Sequence, residues 1–274
     1  MNVFLTGATG YVGAAVAKEL LAARVEVMAL VRTEDKARAV RERGMVPIVG
    51  TLEELHRHGE TVRRADAVVH TAFDDARGED TDVRATRALL AAAPRAFVYA
   101  SSAYNRSPWR FALEGEVVAA GHERLATSVV RLGMVYGGLG GTMPDLFAAA
   151  EAHGTSFYMG EGRARVSAIH RDDAASLFHA IVRHQGRGIF EGVDGQPLTA
   201  RALAEAIAGA VGCRGIASGA PAEFREHTCD VLERDVAVLQ TRGASVGWHP
   251  RFPNVPAGIR HAYEEWKREV IGVG

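Results

Sequence analysis

The residues whose types and spacing are best suited to chemistry stand near the start of the chain. Thr6-Gly7-Ala8-Thr9-Gly10-Tyr11-Val12-Gly13 spaces three glycines as GxxGxxG between a predicted strand, 3–6, and a predicted helix, 11–23. Such a loop is suited to a pyrophosphate. The first glycine permits a tight turn, the second lets backbone approach the phosphates, and the third lets the helix pack close to the strand. The helix N-terminus then offers unpaired N–H groups and a partial positive charge to the anion. Gly7, Thr9, Gly10, Tyr11, Val12 and Gly13 are the expected contacts. The end of the second strand bears on the choice between nicotinamide cofactors. Leu30-Val31-Arg32-Thr33 carries no acid before Glu34. An acid there would bond the ribose 2′-OH of NAD, whereas the Arg32 fork and the Thr33 hydroxyl suit a 2′-phosphate. NADP is therefore the expected cofactor, with NAD less favoured.

The elements that must position these groups alternate along the chain. β-branched runs at 25–31, 46–49, 67–71, 96–101 and 128–135 read as strands, with helical stretches at 34–43, 52–64, 80–93 and 112–126 between them. Strands alternating with helices imply βαβ units and a parallel sheet covered on both faces. The expected fold is thus α/β: a Rossmann-type doubly wound parallel sheet over 1–140, with a small C-terminal substrate lobe over 141–274 interleaved with the last strands. The 274 residues, 47% of them hydrophobic, suffice for a large core with a smaller companion. A formal net charge of -1 argues against a nucleic-acid partner. Cys213 and Cys229 lie in no ligand-like or disulfide-like pattern, so no metal is expected. No apolar run approaches the ~20 residues of a membrane span. With no signal-peptide pattern at the N-terminus either, a cytoplasmic protein acting on a small molecule is expected.

These residues resemble the extended and atypical short-chain dehydrogenase/reductases, in particular the NAD-dependent epimerase/dehydratase family, over nearly the whole chain. TGATGYVG is similar to the family's glycine loop. His70-Thr71-Ala72 resembles the segment after the fourth strand that borders the cofactor, and Tyr99-Ala100-Ser101-Ser102 the fifth-strand end. The resemblance implies a catalytic role for Ser102 and places Leu132 and Met134 in a strand turn that meets the nicotinamide. It also implies possible homodimerisation through helices flanking the sheet. One departure is plain: no lysine occurs between Lys36 and Lys267. The family's Tyr-x-x-x-Lys pair is therefore missing at its expected place, where Pro108 and Ala112, or Arg106 and Arg110, align. Tyr263 and Lys267 match the spacing, but in the final helix, where Tyr263 and Trp266 read as packing residues. Tyr104 is left as a substitute acid, with Arg110 as a neighbouring cation; an unassisted phenol has a pKa of ~10. The expected activity is an NADP(H)-dependent oxidoreductase acting on a small carbonyl or alcohol. A non-catalytic NADP(H) sensor and a sugar-nucleotide epimerase or dehydratase are the alternatives.

Overall fold

The computed structural model describes residues 1–73 and 78–272. In chain order its first elements are β1 (Asn2–Thr6), α1 (Tyr11–Ala22), β2 (Glu26–Val31), α2 (Glu34–Glu42), β3 (Val46–Val49), α3 (Gly59–Arg63), β4 (Ala67–His70) and α4 (Gly78–Ala92). Then come β5 (Ala96–Ser102), α5 (Pro108–Ala119), β6 (Ala126–Leu132), β7 (Met134–Tyr136), α6 (Met143–His153), β8 (Ser156–Tyr158), β9 (Arg165–Val166), β10 (Ala168–His170) and α7 (Arg171–His184). The last are β11 (Gly188–Gly192), β12 (Leu198–Thr199), α8 (Ala200–Val211), β13 (Ile216–Ser218), α9 (Glu226–Glu233) and α10 (Val255–Gly272). They form two compact units, neither a single stretch of chain. The first comprises 1–131, 175–190 and 242–248, the second 132–174, 191–241 and 249–274.

The first unit is built on a seven-stranded sheet in the order β3-β2-β1-β4-β5-β6-β11, the doubly wound order expected of a Rossmann-type fold. Pairing is parallel from β3 through β2, β1 and β4 to β5. Every residue of β4 is buried, as are Val3, Phe4, Leu5 and Thr6 of β1, because helices cover both faces and no solvent-facing alternation remains. One core cluster packs Phe4, Val68, Phe97 and Val129 of the sheet against Leu89 of α4 and Leu113 and Val117 of α5. Burial of each such side chain is worth about 1.5–3 kcal/mol.

Two elements depart from the pattern read in the sequence. Helix α5 spans 108–119 rather than 112–126. Pro108 occupies its first turn, where a missing N–H costs nothing. Beyond its end, a Cβ at Gly121 would meet Thr127 Oγ1 at 2.6 Å, so the chain turns into β6 there. The strand expected over 128–135 breaks at Gly133, where a Cβ would lie 2.5 Å from the Ser167 carbonyl oxygen.

The second unit pairs β7 with β10, β9 with β12, and β8 with β13. Phe147 of α6 packs its ring 5.3 Å from Tyr263 and 5.6 Å from Trp266 of α10.

Candidate functional site

The sheet order reverses around β1, and ligands of open α/β sheets bind at the carboxyl ends of strands at such a point. A cleft of about 520 Å³ opens there. Its walls are Thr6, Gly7, Thr9 and Gly10 after β1; Leu30, Val31, Arg32 and Lys36 around the end of β2; Gly50, Thr51, Leu52 and Glu53 after β3; and Thr71, Ala72, Phe73 and Thr81 from β4 to α4. Gly7 has φ +80°, and a Cβ there would come within 2.7 Å of Ala72 N and Thr71 Oγ1. At Gly13 a Cβ would lie 2.1 Å from the Gly7 carbonyl oxygen, so only glycine lets α1 approach this closely. Gly10 caps α1 without a side-chain hydrogen bond, which leaves the charge of the helix N-terminus available to an anion. These residues fit the pyrophosphate of a dinucleotide. Tyr11, Val12 and Gly13 belong to the first turn of α1 and do not themselves line the cleft.

Around the end of β2, Arg32 and Lys36 put two cations on the cleft. Thr33, expected beside a 2′-phosphate, instead caps α2: its Oγ1 accepts the Lys36 N–H at 3.3 Å. Lys36 was not among the expected contacts. Its signal was its spacing: with Thr33 as N-cap, Lys36 falls in the first helical turn, four residues past Arg32.

Beneath Thr6 runs a buried polar relay. Thr6, His70 and Tyr99 are register neighbours on β1, β4 and β5. Thr6 Oγ1 lies 2.6 Å from His70 Nδ1 and accepts the Ala72 N–H at 3.3 Å. On the other side of the ring, His70 Nε2 faces Asp82 Oδ1 at 3.4 Å. Tyr99 donates its hydroxyl to Asp82 Oδ2 at 2.5 Å. Burial, reinforced by Asp82, pushes the Tyr99 phenol far above its ordinary range, so it remains a donor. His70, expected against the cofactor, is 1% exposed and does not line the cleft; it supports Thr6, which does.

Ser102 ends β5, and its Oγ accepts the Tyr104 N–H at 3.1 Å. Neither residue lines the cleft. Arg110, expected as a cation for Tyr104, stacks over Phe73 and Trp109, 3.9 Å from Asp82 Oδ2. Next to Ser102, Ser101 donates to Glu114 Oε1 at 2.5 Å, and Arg131 donates to Glu114 Oε2 at 2.6 and 2.9 Å, tying β5 and β6 to α5. Asp82 and Glu114 were missed in the sequence because each looks like one more acid on an amphipathic helix.

Leu132 and Met134, expected against the nicotinamide, lie in the second unit. Leu132, Met134, Tyr136, Met143 and Phe147 are buried there, whereas Phe73, in the first unit, is 43% exposed on the cleft. Tyr263 donates to Glu151 Oε1 at 2.5 Å, and Lys267 Nζ lies 3.3 Å from the same oxygen. His170 accepts the Asp172 N–H at Nδ1, which leaves its Nε2–H facing Glu265. Asp173 accepts the N–H groups of Arg251 and Phe252.

The fold and cleft define an NAD(P)-binding protein with an oxidoreductase- and epimerase-like fold. A family model described as NAD(P)H-binding matches residues 7–120. An uncharacterized protein of Schizosaccharomyces pombe is 30% identical over 243 residues, 78% of this chain and 80% of its own. A Stigmatella aurantiaca protein, 4-hydroxy-2-methyl-3-oxo-4-farnesyl-3,4-dihydroquinoline-1-oxide ketoreductase, is 37% identical over 99 residues, 34% of this chain and 30% of its own. The structure of human epimerase family protein SDR39U1 (isoform 2) with NADPH superposes with a TM-score of 0.76 at 23% identity, covering 96% of this chain and 99% of that one. The chain belongs to one family with the Schizosaccharomyces pombe protein and carries an NAD(P)H-binding domain over residues 7–120. No helix among the described residues is long and apolar enough to cross a membrane.

Proposed function

We propose that this protein is an NADP(H)-dependent oxidoreductase that interconverts a small carbonyl compound and its alcohol. The observation that carries the reading is a glycine loop at Gly7, Thr9 and Gly10, with Gly13 letting α1 approach closely, that shares one cleft with Arg32 and Lys36, with no acid at the end of β2. Gly7, Thr9 and Gly10 hold the pyrophosphate, Arg32 and Lys36 the 2′-phosphate, and Thr71 and Ala72 border the cofactor. When bound, the nicotinamide supplies a hydride to a carbonyl carbon. The Ser102 oxygen already accepts the Tyr104 N–H, so its own proton is left to donate to the carbonyl oxygen. The ketoreductase relative supports a carbonyl substrate. The test is oxidation of NADPH over a panel of carbonyl compounds. The expected result is carbonyl-dependent turnover that falls about 10²-fold in Ser102→Ala.

A second reading follows from the missing lysine. No ammonium is available between Lys36 and Lys267 to lower a tyrosine pKa. NADPH binding without turnover on any member of the panel would favour a non-catalytic sensor of the cofactor.

A further inference from the structure

We propose that His70 is a positioning residue for the cofactor cleft: it fixes the Thr6 hydroxyl, and that hydroxyl holds the Thr71–Ala72 segment against the glycine loop. Such a role bears on how the cleft holds a dinucleotide and is independent of whether NADPH is turned over. Thr6 ends β1 and is fully buried at the cleft wall. Hydrogen bonds tie it to the chain just past β4. Its carbonyl oxygen accepts the Thr71 N–H at 3.3 Å and the Thr71 hydroxyl at 2.8 Å, and its Oγ1 accepts the Ala72 N–H at 3.3 Å. Thr71 and Ala72 line the cleft together with Gly7 and Gly10. The two segments fit closely. A Cβ at Gly7 would lie 2.7 Å from Ala72 N, and one at Gly13 would lie 2.6 Å from Thr71 Oγ1. With no slack between them, displacing Thr71–Ala72 displaces the loop that faces the phosphates.

The bond to Ala72 depends on where the Thr6 side chain points. A threonine methyl and hydroxyl are nearly equal in size, so packing alone does not choose between the rotamers that exchange them. The contact with His70 does: Thr6 Oγ1 lies 2.6 Å from His70 Nδ1. His70 is itself buried and held from its far side, where Nε2 faces Asp82 Oδ1 at 3.4 Å. The Tyr99 ring stands 5.8 Å from the imidazole, centroid to centroid. Asp82 is fixed in turn by the Tyr99 hydroxyl at 2.5 Å, with the Arg110 guanidinium 3.9 Å away. An apolar side chain at position 70 would fill the space without the cost of desolvating an imidazole beside a carboxylate. It could not give the Thr6 hydroxyl a direction.

The test is a fluorescence titration of the full chain with NADPH and with NADH, across substitutions that separate the two ring nitrogens. His70→Asn places a polar atom near the Nδ1 position, within reach of Thr6. His70→Gln extends toward Asp82 instead, and His70→Leu offers neither contact. All three disturb the buried network and should unfold at lower urea concentration than wild type. Dinucleotide affinity should nonetheless stay within about threefold of wild type in His70→Asn and fall about tenfold in His70→Gln and His70→Leu. Hydrogen exchange at the Ala72 amide, read without cofactor, should follow the same order, about tenfold faster in the Gln and Leu variants. Thr6→Val keeps the volume, leaves His70 in place and should lose about tenfold in affinity, whereas Thr6→Ser should retain it; this pair decides the matter if the His70 variants fail to fold. Affinity that merely tracks the loss of stability across the His70 series overturns the positioning role. So does a Thr6→Val protein that binds like wild type, or a wild-type protein that binds neither dinucleotide. The expected order of affinities without reduction of any carbonyl compound keeps the positioning role and overturns the oxidoreductase reading.

Discussion

Asp194, in the second unit, makes a stability prediction with a defined sign. Its side chain is 8% exposed. Oδ1 accepts the Gly195 N–H at 2.7 Å, but Oδ2 has no hydrogen-bond partner among the described residues. Burial, with the Asp173 carboxylate nearby, pushes the Asp194 carboxyl up to about 7. An unfolded aspartate titrates near 3.9. Between these values the folded protein keeps a proton that the unfolded chain has released, so stability falls as pH rises through the window. Below about pH 4 both states are protonated and nothing is lost; above about pH 7 the loss is complete, on the order of 4 kcal/mol. An asparagine side chain at this position is an uncharged stand-in for the protonated acid. Urea unfolding of Asp194→Asn and wild type at pH 4.5 and pH 8 should therefore give stability differences that diverge by about 2–4 kcal/mol, with the variant favoured at the higher pH. An equal difference at both pH values would refute the buried-carboxyl reasoning.

Three further substitutions probe the first unit. Gly13→Ala forces a Cβ to within 2.1 Å of the Gly7 oxygen and should cost about 1–3 kcal/mol in thermal unfolding along with most of the NADPH affinity. Gly115→Ala, on the exposed face of α5 with nothing within 4 Å of its Cβ, should instead stabilise by about 0.5–1 kcal/mol; a loss would show that the helix is constrained in a way the packing does not reveal. Asp82→Asn and Tyr99→Phe should each destabilise, and their double-mutant cycle should show a coupling of about 1–3 kcal/mol through the buried 2.5 Å bond; additivity would mean the contact carries no energy of its own.

The parts of this molecule legible in the sequence are those where one residue type answers one local demand. Gly7 and Gly13 could be read in advance because no other residue tolerates the approach of the Thr71–Ala72 segment and the Gly7 carbonyl. The strands β1, β2 and β4 were legible because a sheet covered on both faces needs continuous apolar runs. What could not be read depends on lateral register. Thr6 and His70 are 64 residues apart, and only the pairing of β1 with β4 makes His70 a support for Thr6 rather than a cofactor contact. Asp82 and Arg110 likewise acquire their meaning from α4 and α5 packing against the same core cluster of the sheet. The start of α5 was misplaced for a simpler reason: Pro108 opens the helix, whereas the apolar periodicity becomes evident only further along.

The cofactor assignment is tested most directly by a parallel titration of the purified protein with NADPH and NADH, repeated on Arg32→Asp. NADPH should bind more tightly than NADH by about tenfold or more, with that preference lost or reversed in the variant while NADH affinity is kept. Equal or tighter binding of NADH by the wild-type protein would contradict the assignment of Arg32 and Lys36 to a 2′-phosphate.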